Sequence, residues 1–122
     1  MNQKTVKLKV AKWGVMPSTR IAGEEVRKAI IESINCGASL VEIDFSGVGS
    51  ISWSFADECF GVLWQSSLSD TLESRLELIN ADEHTVIPII RAAVMNRKKA
   101  REWERERVMN RRKELLEELA DL

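Results

Sequence analysis

Residues 40–61 read LVEIDFSGVGSISWSFADECFG, and they decide the fold. Leu40–Phe45 is a short, mostly apolar run of strand type. Ser46–Ser52 is rich in glycine and serine and reads as a connecting loop. From Ser54 the spacing changes to helical, with Phe55, Cys59, Val62 and Leu63 as the inner face of a helix predicted to reach Leu68. The stretch is therefore a strand, a turn and a helix, half of a crossover unit. At its junction Ser54-x-x-Asp57 has the form of a capping box, in which the serine hydroxyl accepts from a backbone N–H of the first turn.

The flanks repeat the theme. Lys4–Lys12 alternates, with Val6, Leu8 and Val10 on one face and Lys7 and Lys9 on the other, as in a half-buried strand. Gly14–Thr19, containing Pro17, is a loop, and a short strand is conceivable near Arg20–Ile21. Glu24–Asn35 carries Val26, Ile30 and Ile34 at i, i+4 and i+8. It reads as an amphipathic helix that stops at Gly37. Arg75–Ile79 is a third strand. Asn80-x-x-Glu83 has the capping-box pattern for a further helix, but Pro88 either kinks that helix or moves its start toward Thr85. Strand and helix alternate throughout. The predicted class is α/β: a mixed sheet with parallel central strands and crossover helices, its ligand-facing loops at the carboxyl ends of the strands.

Length and composition agree with one domain. The chain has 122 residues, enough for a sizeable core, and a net charge of −1. That balance argues against bulk electrostatic capture by nucleic acid or membrane. No apolar run approaches the ~18 residues that cross a bilayer, and the basic N-terminus lacks the apolar core of a secretion signal. The expected location is the cytoplasm. Cys36 and Cys59 sit in apolar surroundings without metal-type spacing and read as free buried thiols.

Catalytic patterns are absent. Gly47 and Gly49 give only GVG, without the further glycine or Lys-Ser/Thr of a phosphate-binding loop. Glu42 and Asp44 share a strand face and can be solvated or turn-stabilising; no partner base or nucleophile accompanies them. His84 is the sole histidine and reads as a surface residue. No base stands near Ser54 to activate it as a nucleophile. No enzyme, cofactor or metal site is expected. Trp53, between two serines, either packs over the sheet edge or anchors a partner. Trp64 reads as core or half-buried, and Trp13 as cover for the sheet edge.

Charge is uneven along the chain. Residues 1–94 carry 9 Lys/Arg and 12 Asp/Glu, residues 96–113 carry 9 Lys/Arg and 3 Glu, and residues 114–122 carry 4 acids and no base. From about Ala92 the sequence lacks Gly and Pro and consists mostly of helix formers. It reads as a long helix leaving the body, solvated in the middle and apolar at the end through Leu115, Leu116, Leu119 and Leu122. Its bases, including Arg101, Arg105, Arg111 and Arg112, can form a solvated face paired with Glu102, Glu104 and Glu106. Alternatively, Trp103 and the leucines make it a partner or homo-oligomer helix, or the bases contact phosphates and make the chain a nucleic-acid-associated accessory protein.

Taken whole, residues 40–61 and the helix before them resemble the STAS domain of anti-anti-sigma factors. The closer likeness is to the STAS-like branch of bacterial and phage proteins known as DUF4325. The residues that carry it are Val41–Phe45, the Ser46–Gly49 turn, Ile51 and Ser52, and the helix start Ser54-Phe55-x-Asp57-Glu58-x-Phe60-Gly61. LELINADEHTVIPIIRAAV fits the last strand and helix. The resemblance covers roughly residues 4–94 and gives a STAS-like domain over 1–94, with a charged helical extension over 95–122. It implies a non-enzymatic switch module that docks a protein partner through the 46–58 loop and helix start. The implied contact residues are Ser52, Trp53, Ser54, Asp57 and Glu58. It also implies a phosphoacceptor at Ser54, and a GHKL-type ATPase/kinase or a sigma-factor antagonist as partner. Ser52 stands where the family commonly has aspartate, and Phe55 where it has a small residue. Asp57 and Glu58, one turn on, would repel a phosphate at Ser54.

Overall fold

The computed structural model describes residues 4–66 and 73–121. Its elements run in the order β1 (Thr5–Lys9), a 3₁₀ turn (Val10–Trp13), α1 (Arg20–Asn35), β2 (Leu40–Asp44), α2 (Trp53–Ala56), a π-helical turn (Asp57–Gly61), α3 (Val62–Gln65), β3 (Leu76–Ile79) and α4 (Ile87–Ala120). The three strands are parallel in the order β1-β2-β3. Helix α1 joins the first pair and the α2–α3 run the second, so the α/β class with crossover helices and a long C-terminal helix is what forms.

Alternation explains the layering. In register, Val6, Val41 and Leu76 lie side by side, as do Leu8, Ile43 and Leu78. These apolar rows pack against Val26 and Ile30 of α1, Phe55, Cys59 and Leu63 of the α2–α3 run, and Val86, Ile90 and Ala93 around α4. Each fully buried aliphatic side chain contributes roughly 1.5–3 kcal/mol. The intervening row Lys7–Glu42–Glu77 lies on the opposite face of the sheet. Lys7 and Glu77 there are exposed and Glu42 is half-buried. A parallel sheet is usually covered on both sides; the polar alternation of β1 and β2 is why this one keeps a solvated face.

Helix α1 begins one turn earlier than its periodicity indicates. Thr19 is extended (φ −104°, ψ 154°), and its hydroxyl accepts from the Ala22 N–H at 3.0 Å. That cap claims Arg20 and Ile21 for the helix, so no strand forms there. The C-terminus closes as a Schellman motif. Gly37 adopts φ 96°, its N–H donates to the Ile34 carbonyl, and the Ala38 N–H donates to Ser33. Gly37 is thus the stop the sequence indicated, but Cys36 beside it is exposed rather than buried.

Three other expectations change. Strand β1 ends at Lys9, opposite the last residue of β2, Asp44. Without a ladder partner, residues 10–13 turn into the 3₁₀ segment and drop Val10 into the core. The next helical run starts at Trp53, not Ser54, and its described part ends at Gln65; Leu68 lies outside the described residues. The Asn80–Glu83 capping box does not form. Asn80 takes a left-handed φ of 56°, and its side chain is spent on Asp44. Asp82 accepts from the His84 and Thr85 N–H groups instead, and α4 starts at Ile87 with Pro88 in its first turn. Proline is tolerated there because first-turn N–H groups have no helical partner. Of the two readings of Pro88, the later start is the one realised.

Helix α4 is a single unbroken helix of 34 residues. Residues up to Arg101 include buried and half-buried positions; residues 102–121 are all exposed. Among the described residues no helix is long and apolar enough to cross a membrane.

Candidate functional site

The carboxyl ends of β1 and β2 are where a parallel sheet offers its loops. Asp44, the last residue of the central strand, organises the turn that follows. Its Oδ1 accepts from the Asn80 side-chain amide at 3.0 Å and from the Ser46 N–H at 2.9 Å. These bonds, that of Asn80 foremost, hold the carboxyl down at about 2. Asp44 is therefore a turn-stabilising carboxylate, one of the two roles its position allowed.

The loop beyond is laced to the loop before α1. The Gly49 N–H donates to the Val15 carbonyl and the Ser52 N–H to the Pro17 carbonyl. The Ser52 hydroxyl donates to the Ser18 carbonyl at 2.8 Å and accepts from the Phe55 N–H at 3.1 Å. Thr85 adds a hydrogen bond to the Gly49 carbonyl at 2.6 Å. Ser52 is thus the N-cap of α2. The cap expected of Ser54 is not made, because Ser54 already lies inside the first turn, half-buried.

Lacing fixes the backbone and leaves apolar side chains outside. Val15 and Met16 are 66% and 65% exposed, Ile21 at the start of α1 is 72% exposed, and Trp53 at the start of α2 is 42% exposed. Single exposed apolar residues are ordinary; four on two joined loop–helix junctions form a feature of the surface. Trp13, behind this edge, is half-buried and donates its indole N–H to Glu25 at 2.7 Å.

One turn further into the helix the chemistry reverses. The side chain of Asp57 is only 6% exposed. Arg97 from α4 grips it with two bonds, Nε to Oδ1 at 2.8 Å and Nη2 to Oδ2 at 2.7 Å, and Arg20 from α1 adds a third at 2.9 Å. Gln65 accepts from the Arg97 guanidinium at 2.9 Å. The Arg97 hydrogen bonds hold the Asp57 carboxyl down at about 2 against the opposing effect of burial, and Arg97 in turn is held more firmly protonated. Beside it, Glu58 pairs with Arg27 at 2.7 Å, and Arg27 also donates to the Glu58 carbonyl. Carboxylate and guanidinium thus cross-link α1, the π turn and α4.

Two glycines allow the helices this close. A Cβ at Gly61 would lie 2.8 Å from Asp57 Oδ1 and 2.9 Å from Arg97 Cγ. At Gly23 it would lie 2.7 Å from the Phe55 carbonyl oxygen. The π turn spans Asp57–Gly61, where Asp57, Cys59, Phe60 and Gly61 are all buried. Such turns insert one residue into a helix and re-aim its side chains. Burial pushes the Cys59 thiol far above its ordinary range, so it stays protonated and inert.

Of the residues singled out in sequence, Ser52, Trp53 and Ser54 gather at the strand ends, with Glu58 half-buried behind them. Asp57 points inward. Arg101 is half-buried, while Trp103, Arg105, Arg111 and Arg112 are exposed on the projecting half of α4. Arg111 pairs with Glu114 at 3.3 Å. His84 is exposed, and Trp64 is half-buried with the Lys98 ammonium 5.6 Å from its ring centroid. The sequence reading missed Asp57 as an internal anchor and Arg97 as its partner. Asp57 carried a signal, an acid set between Phe55, Ala56, Cys59 and Phe60 on an otherwise apolar helix start, although Glu58 beside it carried the same one. Arg97 carried none, since it opens a run of bases. Among the described residues no cluster of His, Cys, Asp and Glu could hold a metal.

No curated protein and no solved structure matches the chain. A family model described as a STAS-like domain of unknown function matches residues 22–86, from the first turns of α1 to the residue before α4. The match spans more than half of the chain and includes the whole strand–turn–helix from which the reading began. The chain belongs to the STAS-like family DUF4325.

Proposed function

We propose that the chain is a non-enzymatic regulatory module that docks a protein partner through the 46–58 loop and helix start. The observation that carries this reading is the exposure of Val15 and Met16 before α1, Ile21 at its start and Trp53 at the start of α2, where the two preceding loops are joined by backbone hydrogen bonds. Exposed aromatics on a rigid backbone are common anchors of binding energy. Ser52, Trp53, Ser54 and Glu58 then make the contact, and Asp57 serves it from behind by fixing the helix to α1 and α4. Acid–base chemistry is a poor alternative, because Asp44 and Asp57 are held ionised far below neutral pH and the Cys59 thiol is held protonated.

The family likeness makes a GHKL-type ATPase/kinase or a sigma-factor antagonist the first partner class to test, in the cytoplasm, with Ser54 as the phosphoacceptor. Two opposing charges surround Ser54. Asp57 and Glu58, three and four residues on, repel a phosphate. Arg20 reaches that same turn with a side chain about half exposed, and it attracts one. A phosphoserine would compete with Asp57 for Arg20, which is a route from modification to a loosened helix start.

The test is affinity capture in the source organism with full-length wild type, Trp53→Ala, Ser54→Ala and Ser54→Asp, read by mass spectrometry. The expected result is one protein retained by wild type and Ser54→Ala and lost with Trp53→Ala and Ser54→Asp, plus a phosphopeptide spanning Ser54. Loss with Trp53→Ala alone keeps the docking surface and removes the switch. Identical partners for all four would overturn the reading.

A further inference from the structure

Residues 102–121 of α4 project from the body with every residue exposed. Their side chains are not scattered evenly around the helix. At about 100° per residue, Lys98, Arg101, Arg105 and Arg112 fall within about 60° of one another. Val108, Met109, Leu115, Leu116 and Leu119 fall within an overlapping arc of about 120°. No carboxylate lies inside that arc; Glu102 borders one edge and Glu104 the other. The remaining acids of the projecting half (Glu106, Glu114, Glu117, Glu118 and Asp121) lie on the far side with Trp103. The arc continues the side of α4 that, nearer the body, buries Ile90 and bonds Arg97 to Asp57. Among the described residues Arg101, Arg105 and Arg112 have no carboxylate partner, whereas Arg111, off the arc, has Glu114.

We propose that this arc is a docking face for an acidic amphipathic helix of another protein. Charge complementarity selects that occupant. Its carboxylates would meet Lys98, Arg101, Arg105 and Arg112, and its aliphatic side chains would cover Val108, Leu115 and Leu119, whose exposures are 62%, 44% and 63%. A second copy of this chain fits poorly. Parallel pairing on the arc sets Arg112 against Arg112. Antiparallel pairing that seats Val108 on Leu116 and Met109 on Leu115 again sets Arg112 against Arg112. A phosphate backbone also fits poorly, since it offers nothing apolar to Leu115, Leu116 and Leu119, and four acids surround that end of the helix. Trp103, grouped with the leucines in sequence, lies opposite them and takes no part.

The probe is a fluorescent designed peptide of about three heptads, with Leu at its core positions and Glu flanking them. It is titrated against the full chain by anisotropy at two salt concentrations, beside a Glu→Lys sister peptide and a DNA duplex. The Glu peptide should bind, weaken with salt and prefer wild type to R101E/R105E/R112E by about tenfold or more, while the Lys peptide shows the reverse preference. Arg101 is half-buried and Arg105 and Arg112 are exposed, and circular dichroism of the variant checks that it folds. Equal binding of the two peptides overturns the proposal. So does tighter binding of the duplex, or self-association by sedimentation that Leu115→Ser abolishes.

Discussion

Trp53 and Asp57 stand one turn apart on one helical run, and they meet opposite environments. Trp53 opens the run, with 42% of its surface in water and its neighbours tied down by Ser52. Asp57 lies at the start of the π turn, buried, with three charged hydrogen bonds from two other helices. Sequence reading grouped the two as one contact surface. The difference separates a part that holds from a part that is offered. The ion-pair cluster ties the run to α1 and α4 while Ser52 fixes its start, and the residues at that start can then present apolar surface without unfolding.

That separation can be broken at several points, each with its own size of effect. Asp57→Ala leaves Arg97 and Arg20 without their carboxylate. Breaking a buried pair by removing one partner costs about 3–5 kcal/mol, so urea denaturation should show a loss on that scale. The far end of the cluster offers an independent test: a chain cut after Met95 loses Arg97 and should be destabilised comparably, whereas one cut after Arg101 keeps the pair and should unfold close to wild type. Equal stability of the two truncated chains would mean that Arg97 contributes little.

Acid should reveal the same pair. The Asp57 carboxyl is lowered from 3.8 to about 2 by its arginines. A carboxyl lowered in the folded state adds stability that is full above the unfolded value and is lost as pH falls through the folded one. Between about pH 4 and 2 wild type should therefore lose about 2 kcal/mol that Asp57→Asn does not lose. Asp44 titrates over the same range in both proteins, so their difference isolates Asp57.

The smallest effects separate cap from surface. Ser52→Ala removes the α2 cap and should cost about 1 kcal/mol in thermal or urea unfolding. Ser54→Ala and Trp53→Ala should each stay within about 0.5 kcal/mol of wild type. Reversal of the two serines would return the cap to Ser54. A large loss with Trp53→Ala would make Trp53 part of the core.

Much of this architecture is legible in sequence because it rests on local periodicity. The alternation of Val6 and Leu8, the i, i+4 spacing of Val26 and Ile30, and Gly37 as a stop act within a few residues of themselves. What stayed hidden depends on partners far along the chain. Val10 leaves the strand pattern because β2 is too short to pair with it. Asn80 abandons a capping box because Asp44 takes its side chain. Ser54 loses the cap to Ser52 because Ser18 and Pro17, more than thirty residues earlier, bond to Ser52 and set the backbone there. Arg97 could not be told from its basic neighbours before α4 was placed beside the π turn. For the candidate site, Trp53 was visible as an aromatic at a junction, but the hydrogen bonds that tie the Val15–Ser18 loop to the loop before α2 were not.

The most direct test of the central claim is site-specific photocrosslinking in the source organism. A photoreactive phenylalanine would replace Trp53, then Ile21, then Lys7 on the open sheet face. The same protein adduct is expected from positions 53 and 21 and none from position 7. Adducts at all three positions alike, or at position 7 alone, would contradict docking through the junction of the two loops.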